Sequence, residues 1–218
     1  MAKVLVICAK RYNGHELWTL LKRLREYGHD FEVVSAKKVI RDELTLEPNS
    51  IDRTFYEVPV SEVSKFDGVS VVSGNMKDTE AYWTNEKVLS LLNEFRHHNK
   101  VVSAICCSVP TLAPVCKGIR VAPFPLVRAR QRLLLYGAIL DPVSICVDQQ
   151  TVTAENQMMS YLWGNCISEL LQGKEPSLNF APSRYAAHFR GKTPRRLRQD
   201  LEEQLSKFRP TPPMQKKV

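Results

Sequence analysis

Val101-Val102-Ser103-Ala104-Ile105-Cys106-Cys107-Ser108-Val109-Pro110-Thr111-Leu112 joins a short apolar run to an abrupt break. Residues 101–105 suit a strand buried on both faces of a parallel sheet. Pro110 and the small residues before it stop that strand and start a helical turn, with Cys106 at the junction. Moving towards the N-terminus, Val69-Ser70-Val71-Val72 is a second run of the same kind and ends on Ser73-Gly74-Asn75. Lys3-Val4-Leu5-Val6-Ile7-Cys8 is a third. Between the last two, Leu17, Leu20, Leu21, Leu24 and Tyr27 recur on one face of an amphipathic helix. Asn13 and Glu16 have the spacing of a capping box at its start, and Gly28 is a stop. Phe31–Ser35 is then a strand, so the first thirty-five residues form strand–helix–strand, the unit of right-handed parallel crossovers.

Farther along, Val88, Leu91, Leu92 and Phe95 mark a helix over about 85–97. A helical stretch is expected over 126–136, and short strands over 144–147 and 151–153. Met159, Leu162, Trp163, Cys166, Leu170 and Leu171 line a helix ending at Gly173. Residues 36–60 read as polar and irregular, with strand-like pieces around Phe55-Tyr56-Glu57-Val58. The expected fold is α/β: a doubly wound, mostly parallel sheet flanked by helices, a flavodoxin-like three-layer sandwich. It occupies residues 1–173, and residues 174–218 form a basic C-terminal extension with one helix and a disordered end.

The order of elements and several motifs resemble the ThiJ/PfpI superfamily, which has the class I glutamine amidotransferase-like fold. Val101–Leu112 is similar to that family's nucleophile elbow. Ser73-Gly74-Asn75 is similar to the turn that supplies a backbone donor near the cysteine. Glu16 stands where the family has the acidic partner of its cysteine. Thr153-Ala154-Glu155-Asn156-Gln157 is a weaker match. The resemblance implies a reactive Cys106, a protonated Glu16 as its proton partner, and backbone donors at Gly74 and Cys107. Asn75, Ser108, His15 and Phe124 are candidates to line the pocket. The chain departs from the family pattern in having Cys107 where many members have a histidine, and Phe124-Pro125 in place of a His-Pro dipeptide.

The chemistry asks for these residue types. A thiolate is the nucleophile, and a helix start lowers a thiol's pKa through unpaired N–H groups. A buried carboxyl beside an anion holds its proton and can donate it. Two backbone N–H groups can stabilise an oxyanion. Against this stand simpler readings. Cys106 could be a small core residue, Glu16 only a helix cap, Cys107 a packing residue, and His15 a surface residue. Cys8, Cys146 and Cys166 sit in apolar elements and read as core.

These residues point to a cysteine-dependent hydrolase or lyase acting on a small carbonyl-like substrate, with no cofactor and no metal. One alternative is a non-catalytic redox or stress protein with an oxidisable Cys106. Another is a regulatory or nucleic-acid-associated protein that uses the tail. Residues 174–218 carry eleven Lys and Arg against four acids, +7 of the chain's +8. Such charge can neutralise phosphates; the preferred reading is a solvated helix whose Leu197, Leu201, Leu205 and Phe208 stripe docks on the body or on a second subunit. A homodimer is expected from the resemblance and that stripe. No apolar run is long enough to span a membrane. The N-terminal apolar run is too short for a signal peptide, so the expected location is the cytoplasm.

Overall fold

A computed structural model describes residues 1–176. In chain order the first half comprises β1 (Lys3–Cys8), β2 (Arg11–Tyr12), α1 (Gly14–Glu26), β3 (Asp30–Ser35), β4 (Val39–Asp42), β5 (Pro48–Ser50), β6 (Arg53–Thr54), β7 (Gly68–Val72) and α2 (Met76–Glu80). The second half comprises α3 (Glu86–His97), β8 (Val101–Ile105), β9 (Arg120–Val121), α4 (Val127–Leu135), β10 (Ile139–Leu140), β11 (Ile145–Asp148), β12 (Thr151–Ala154) and α5 (Ser160–Leu171). The main sheet has seven strands in the order β11-β12-β8-β7-β1-β3-β6. All its neighbours run parallel except β11 against β12.

The strands are apolar on both sides because both sides are covered. Leu5 and Ile7 of β1 join Val69 and Val71 and pack under Val88, Leu91, Leu92 and Phe95 of α3. Val4, Val6 and Cys8 point the other way, onto Leu17, Leu20 and Leu24 of α1 and Trp163, Cys166 and Ile167 of α5. This is the doubly wound sandwich. The chain passes from β1 to β3 on one side and then to β7 on the other, so the order reverses at β1. Open α/β sheets bind ligands at the carboxyl ends of the strands flanking such a point.

Three local features differ from the sequence expectations. Phe55–Glu57 is a 3-10 turn, not a strand, with Phe55 and Val58 fully buried. The stretch 36–60 contains β4, β5 and β6, and β4 and β5 join β2 in a small separate sheet. The segment after β8 is a 3-10 helix, Cys106–Val115, rather than an α-helix. Pro110 and Pro114 within it lack the N–H groups that an α-helical ladder needs. The helix expected over the tail falls outside the described residues.

Candidate active site

The site is built where β1, β7 and β8 end side by side. After β8 the chain turns sharply, and Cys106 has φ +57°. A non-glycine residue in this left-handed region is strained by about 1–3 kcal/mol and persists only where its surroundings enforce it. Ser108 does much of the enforcing. Its hydroxyl accepts from Ile105 N at 3.1 Å and lies 2.6 Å from Ile105 O and 2.7 Å from Val71 O. Trp83 Nε1 donates to Cys107 O at 2.9 Å and pins the next peptide. Ser108 is thus a fully buried clamp on the elbow, not a pocket residue as the sequence suggested. Ser108→Ala is expected to cost about 1–3 kcal/mol. Urea unfolding checks this, and a midpoint equal to wild type would reject the clamp.

The turn after β7 is held just as closely. Asn13 N donates to Ser73 O at 2.9 Å, and Asn75 N donates to Arg11 O at 2.8 Å, around an antiparallel bridge between Tyr12 and Gly74. The Arg11 guanidinium donates to Asp78 and to Asn75 Oδ1. Asn75 is therefore occupied as a brace. At Gly74 a Cβ would lie 1.9 Å from Arg11 O and 2.6 Å from Tyr12 Cα, so the close approach of the two segments requires glycine.

Glu16 comes from the first turn of α1 and is fully buried. Its backbone N–H donates to Asn13 Oδ1, the first half of a capping box. The other half is missing, because the carboxyl turns inward to Ser73. Ser73 N donates to Oε2 at 2.9 Å, and Ser73 Oγ sits 2.8 and 2.7 Å from the two carboxyl oxygens. Burial pushes the Glu16 carboxyl up to about 8; the Ser73 hydrogen bonds oppose that shift, and charge on Cys107 and Glu43 adds to it. Glu16 holds its proton at neutral pH. No hydrogen bond joins Glu16 to Cys106. Ser73, which bonds Glu16, also favours the anion at both cysteines.

The two neighbouring thiols influence each other, and the surroundings favour the anion at Cys107 over Cys106. The Cys107 thiol is held below its ordinary value, chiefly by its neighbour Cys106, against the effect of burial. Thr79, the Gly74 backbone and Ser73 also favour its anion. Cys106 is shifted upward by its neighbour Cys107, by burial and by Glu16. The donors expected at Cys106 from a helix start converge instead on the next residue. The Gly74 backbone serves Cys107, whose thiol form also lies 3.7 Å from Gly74 O. Cys106 is the more accessible of the two, since Cys107 is only 3% exposed.

Cys8, Cys116 and Cys146 are pushed up to about 12 by burial, as is Cys166. His15 is exposed on α1, and Phe124 lies half-buried in the turn before α4, outside the hydrogen-bonded cluster. Asn13 Nδ2 reaches Glu43 Oε1 at 2.9 Å and Gln157 Oε1 at 2.6 Å, closing the rim beside Glu16. Sequence reading gave no site role to Thr79, Trp83 or Glu43, took Asn13 only as a helix cap, and quoted Ser73 only as part of the turn at Gly74. Among the described residues no group of His, Cys, Asp and Glu has the makings of a metal site. None of their helices is long and apolar enough to cross a membrane.

Comparison with known proteins agrees with this architecture. The chain is 30% identical over 166 residues to an uncharacterized protein of Methanocaldococcus jannaschii, covering 75% of this chain and 79% of that one. Its structure is similar to a ThiJ/PfpI domain protein from Brachyspira murdochii, with a TM-score of 0.71 at 20% identity over 78% of this chain and 96% of that one. It is also similar to Drosophila melanogaster DJ-1beta, with a TM-score of 0.66 at 20% identity over 79% and 91% of the two chains. The model of the DJ-1/PfpI family matches residues 2–170, and the chain belongs to that family.

Proposed function

We propose that the protein is a cysteine-dependent hydrolase or lyase acting on a small carbonyl-like electrophile, with Cys106 as nucleophile. The observation that carries this reading is Cys106 at a strained strand end, next to Cys107 and close to a buried acid that is held by Ser73. Family members often have a histidine directly after the cysteine, and here Cys107 takes its work. A thiol held below its ordinary value is suited to general base duty. The Cys107 thiolate accepts the Cys106 proton as the Cys106 sulfur attacks the substrate carbon. The new oxyanion receives a proton from Glu16, relayed by Ser73 Oγ. As the adduct collapses the leaving group departs with the proton held by Cys107, and water then attacks the Cys106-bound carbon, giving a proton to Cys107 as the product leaves and Cys106 is freed. Asn13, Glu43 and Gln157 form the rim past which the substrate enters. All six cysteines are free, which fits a reducing compartment such as the cytoplasm. The homodimer expected from the family and from the Leu197, Leu201 and Leu205 stripe is part of the same proposal.

The test is a screen of aldehydes, amides and isocyanides against wild type and Cys106→Ala. Turnover of one class by wild type, lost in Cys106→Ala, is the expected result. Turnover that survives in Cys106→Ala removes the cysteine from the mechanism.

A further inference from the structure

We propose that Glu43 sets the charge selectivity of the site, admitting electrophiles that carry a positive charge and turning away anionic ones. The inference rests on Cys106 as the nucleophile of the proposed function and adds the class of molecule that reaches it.

Glu43 borders the opening above Cys106. Asn13 Nδ2 donates to Glu43 Oε1 at 2.9 Å and to Gln157 Oε1 at 2.6 Å. Asn13 follows β1 and β2, and Gln157 follows β12. In the sheet β8 and β7 lie between β12 and β1, so the Asn13–Gln157 bond passes the ends of those two strands. Cys106 and Ser73 sit at these ends, and Asn13 N donates to Ser73 O at 2.9 Å. Cys106 packs on the face of the sheet that α1 and α5 cover, the face from which Asn13 and Gln157 approach. Glu43, held by the same amide nitrogen, therefore stands at the mouth.

Its charge there is left to a ligand. The Asn13 side chain has nothing more to give, since its Oδ1 accepts from Glu16 N. Among the described residues, Glu43 Oε2 has no hydrogen-bond or ion-pair partner. The Arg11 guanidinium is engaged by Asp78 and Asn75. A half-buried carboxylate without a cation of its own gains most from an ammonium or guanidinium group, and it repels a carboxylate or phosphate.

The turn that carries Glu43 is held against the preferences of its residues. Leu44 is 85% exposed while Glu43 is half-buried. Leu46 has φ +59°, a left-handed conformation unfavourable to leucine. Asp42 Oδ1 enforces the turn by accepting from Leu44 N at 2.8 Å and Thr45 N at 3.2 Å. Arg41 Nη1 donates to Leu46 O at 3.0 Å, and Glu43 N donates to Tyr12 O at 2.9 Å. Showing a leucine to water and a carboxylate to the site forgoes stability, and such strain gathers where ligands are held.

The test labels the full chain at neutral pH and low salt with bromoethylammonium, a cation, and with iodoacetate, an anion. Mass spectrometry reads the rate at Cys106. Fragmentation of the tryptic peptide Val101–Lys117, which also holds Cys107 and Cys116, locates the label. Intrinsic reactivities cancel when the cation-to-anion rate ratio is compared between wild type and Glu43→Gln. The amide keeps an acceptor for Asn13 and removes only the charge. The ratio is expected to fall about tenfold in Glu43→Gln, and by less in high salt. Glu47→Gln, which removes an exposed acid of the same turn, is expected to leave it unchanged. An equal ratio in wild type and Glu43→Gln, or an equal fall in Glu47→Gln, overturns the proposal. If Glu43→Gln does not fold, wild type decides alone. Its ratio, divided by that of mercaptoethanol, is expected to exceed one and to drop with salt, and a value at or below one overturns the proposal. Labelling requires no turnover, so a charge preference in a protein that converts no carbonyl compound defeats only the hydrolase reading.

Discussion

Glu16→Gln is expected to slow turnover about 10²- to 10⁴-fold, the range lost with a general acid or base, while making the protein more stable near neutral pH. Both effects follow from one buried proton. The amide keeps an acceptor for Ser73 and a donor of its own, so the elbow and its thiols should be preserved. It cannot give up and regain a proton. Alkylation of Cys106 or Cys107 by iodoacetamide should therefore proceed at least as fast as in wild type while turnover falls.

The stability effect has a defined direction. The Glu16 carboxyl is raised from 4.5 to about 8 on folding, so between those values the native state keeps a proton that the unfolded chain releases. Stability from this group is fully present below about pH 4.5 and is lost as pH rises towards 8. At pH 7 the loss is about 3 kcal/mol. Glu16→Gln removes it. Urea midpoints at pH 5 and pH 8 should converge for the variant and diverge for wild type. Parallel behaviour would mean that Glu16 is ionised in the folded protein, and the proton-relay mechanism would fall with it.

Gly74→Ala is expected to be the most damaging small substitution in the site. The new methyl would meet Arg11 O at 1.9 Å, a backbone atom that cannot swing aside. Either β2 or the turn after β7 must move, and overpacking of this kind costs about 1–3 kcal/mol, more where backbone must shift. The Asn75 N to Arg11 O and Asn13 N to Ser73 O bonds flank this contact, so both are disturbed. Ser73 then leaves Glu16, and the Gly74 backbone leaves Cys107. Loss of stability by thermal melting should be accompanied by a rise in the Cys107 pKa, read from the pH dependence of alkylation. A stable Gly74→Ala variant with an unchanged alkylation profile would show that the turn does not position the thiols.

The elements legible in the sequence were those with a period. β1 and β8 fall on Lys3–Cys8 and Val101–Ile105, since continuous apolar runs between breakers leave little choice of boundary. α1, α3 and α5 follow their Leu, Val and Trp faces to within a residue or two. The segments that escaped are those whose form is set by distant partners. Phe55 looks like a strand residue but is buried under α3 from a 3-10 turn. Ser73 looks like an ordinary loop residue, and its contact with Glu16 spans 57 positions that only the β1–β7 pairing closes. The difference between Cys106 and Cys107 comes from Gly74, Ser73 and Thr79, which β7 and α2 bring from distant positions. Glu43 was hidden in a polar stretch without periodicity.

The order of the strands has a consequence for synthesis. Glu16, Ser73 and Cys106 follow β1, β7 and β8, which are adjacent in the sheet but emerge from the ribosome far apart. The acid and its serine can be in position while the nucleophile is still being made. Cys106 gains its partners only when β8 docks against β7, after more than a hundred residues have been joined. No shorter nascent chain carries the assembled centre, and the newly made thiol spends its most exposed moments without the groups that would make it reactive.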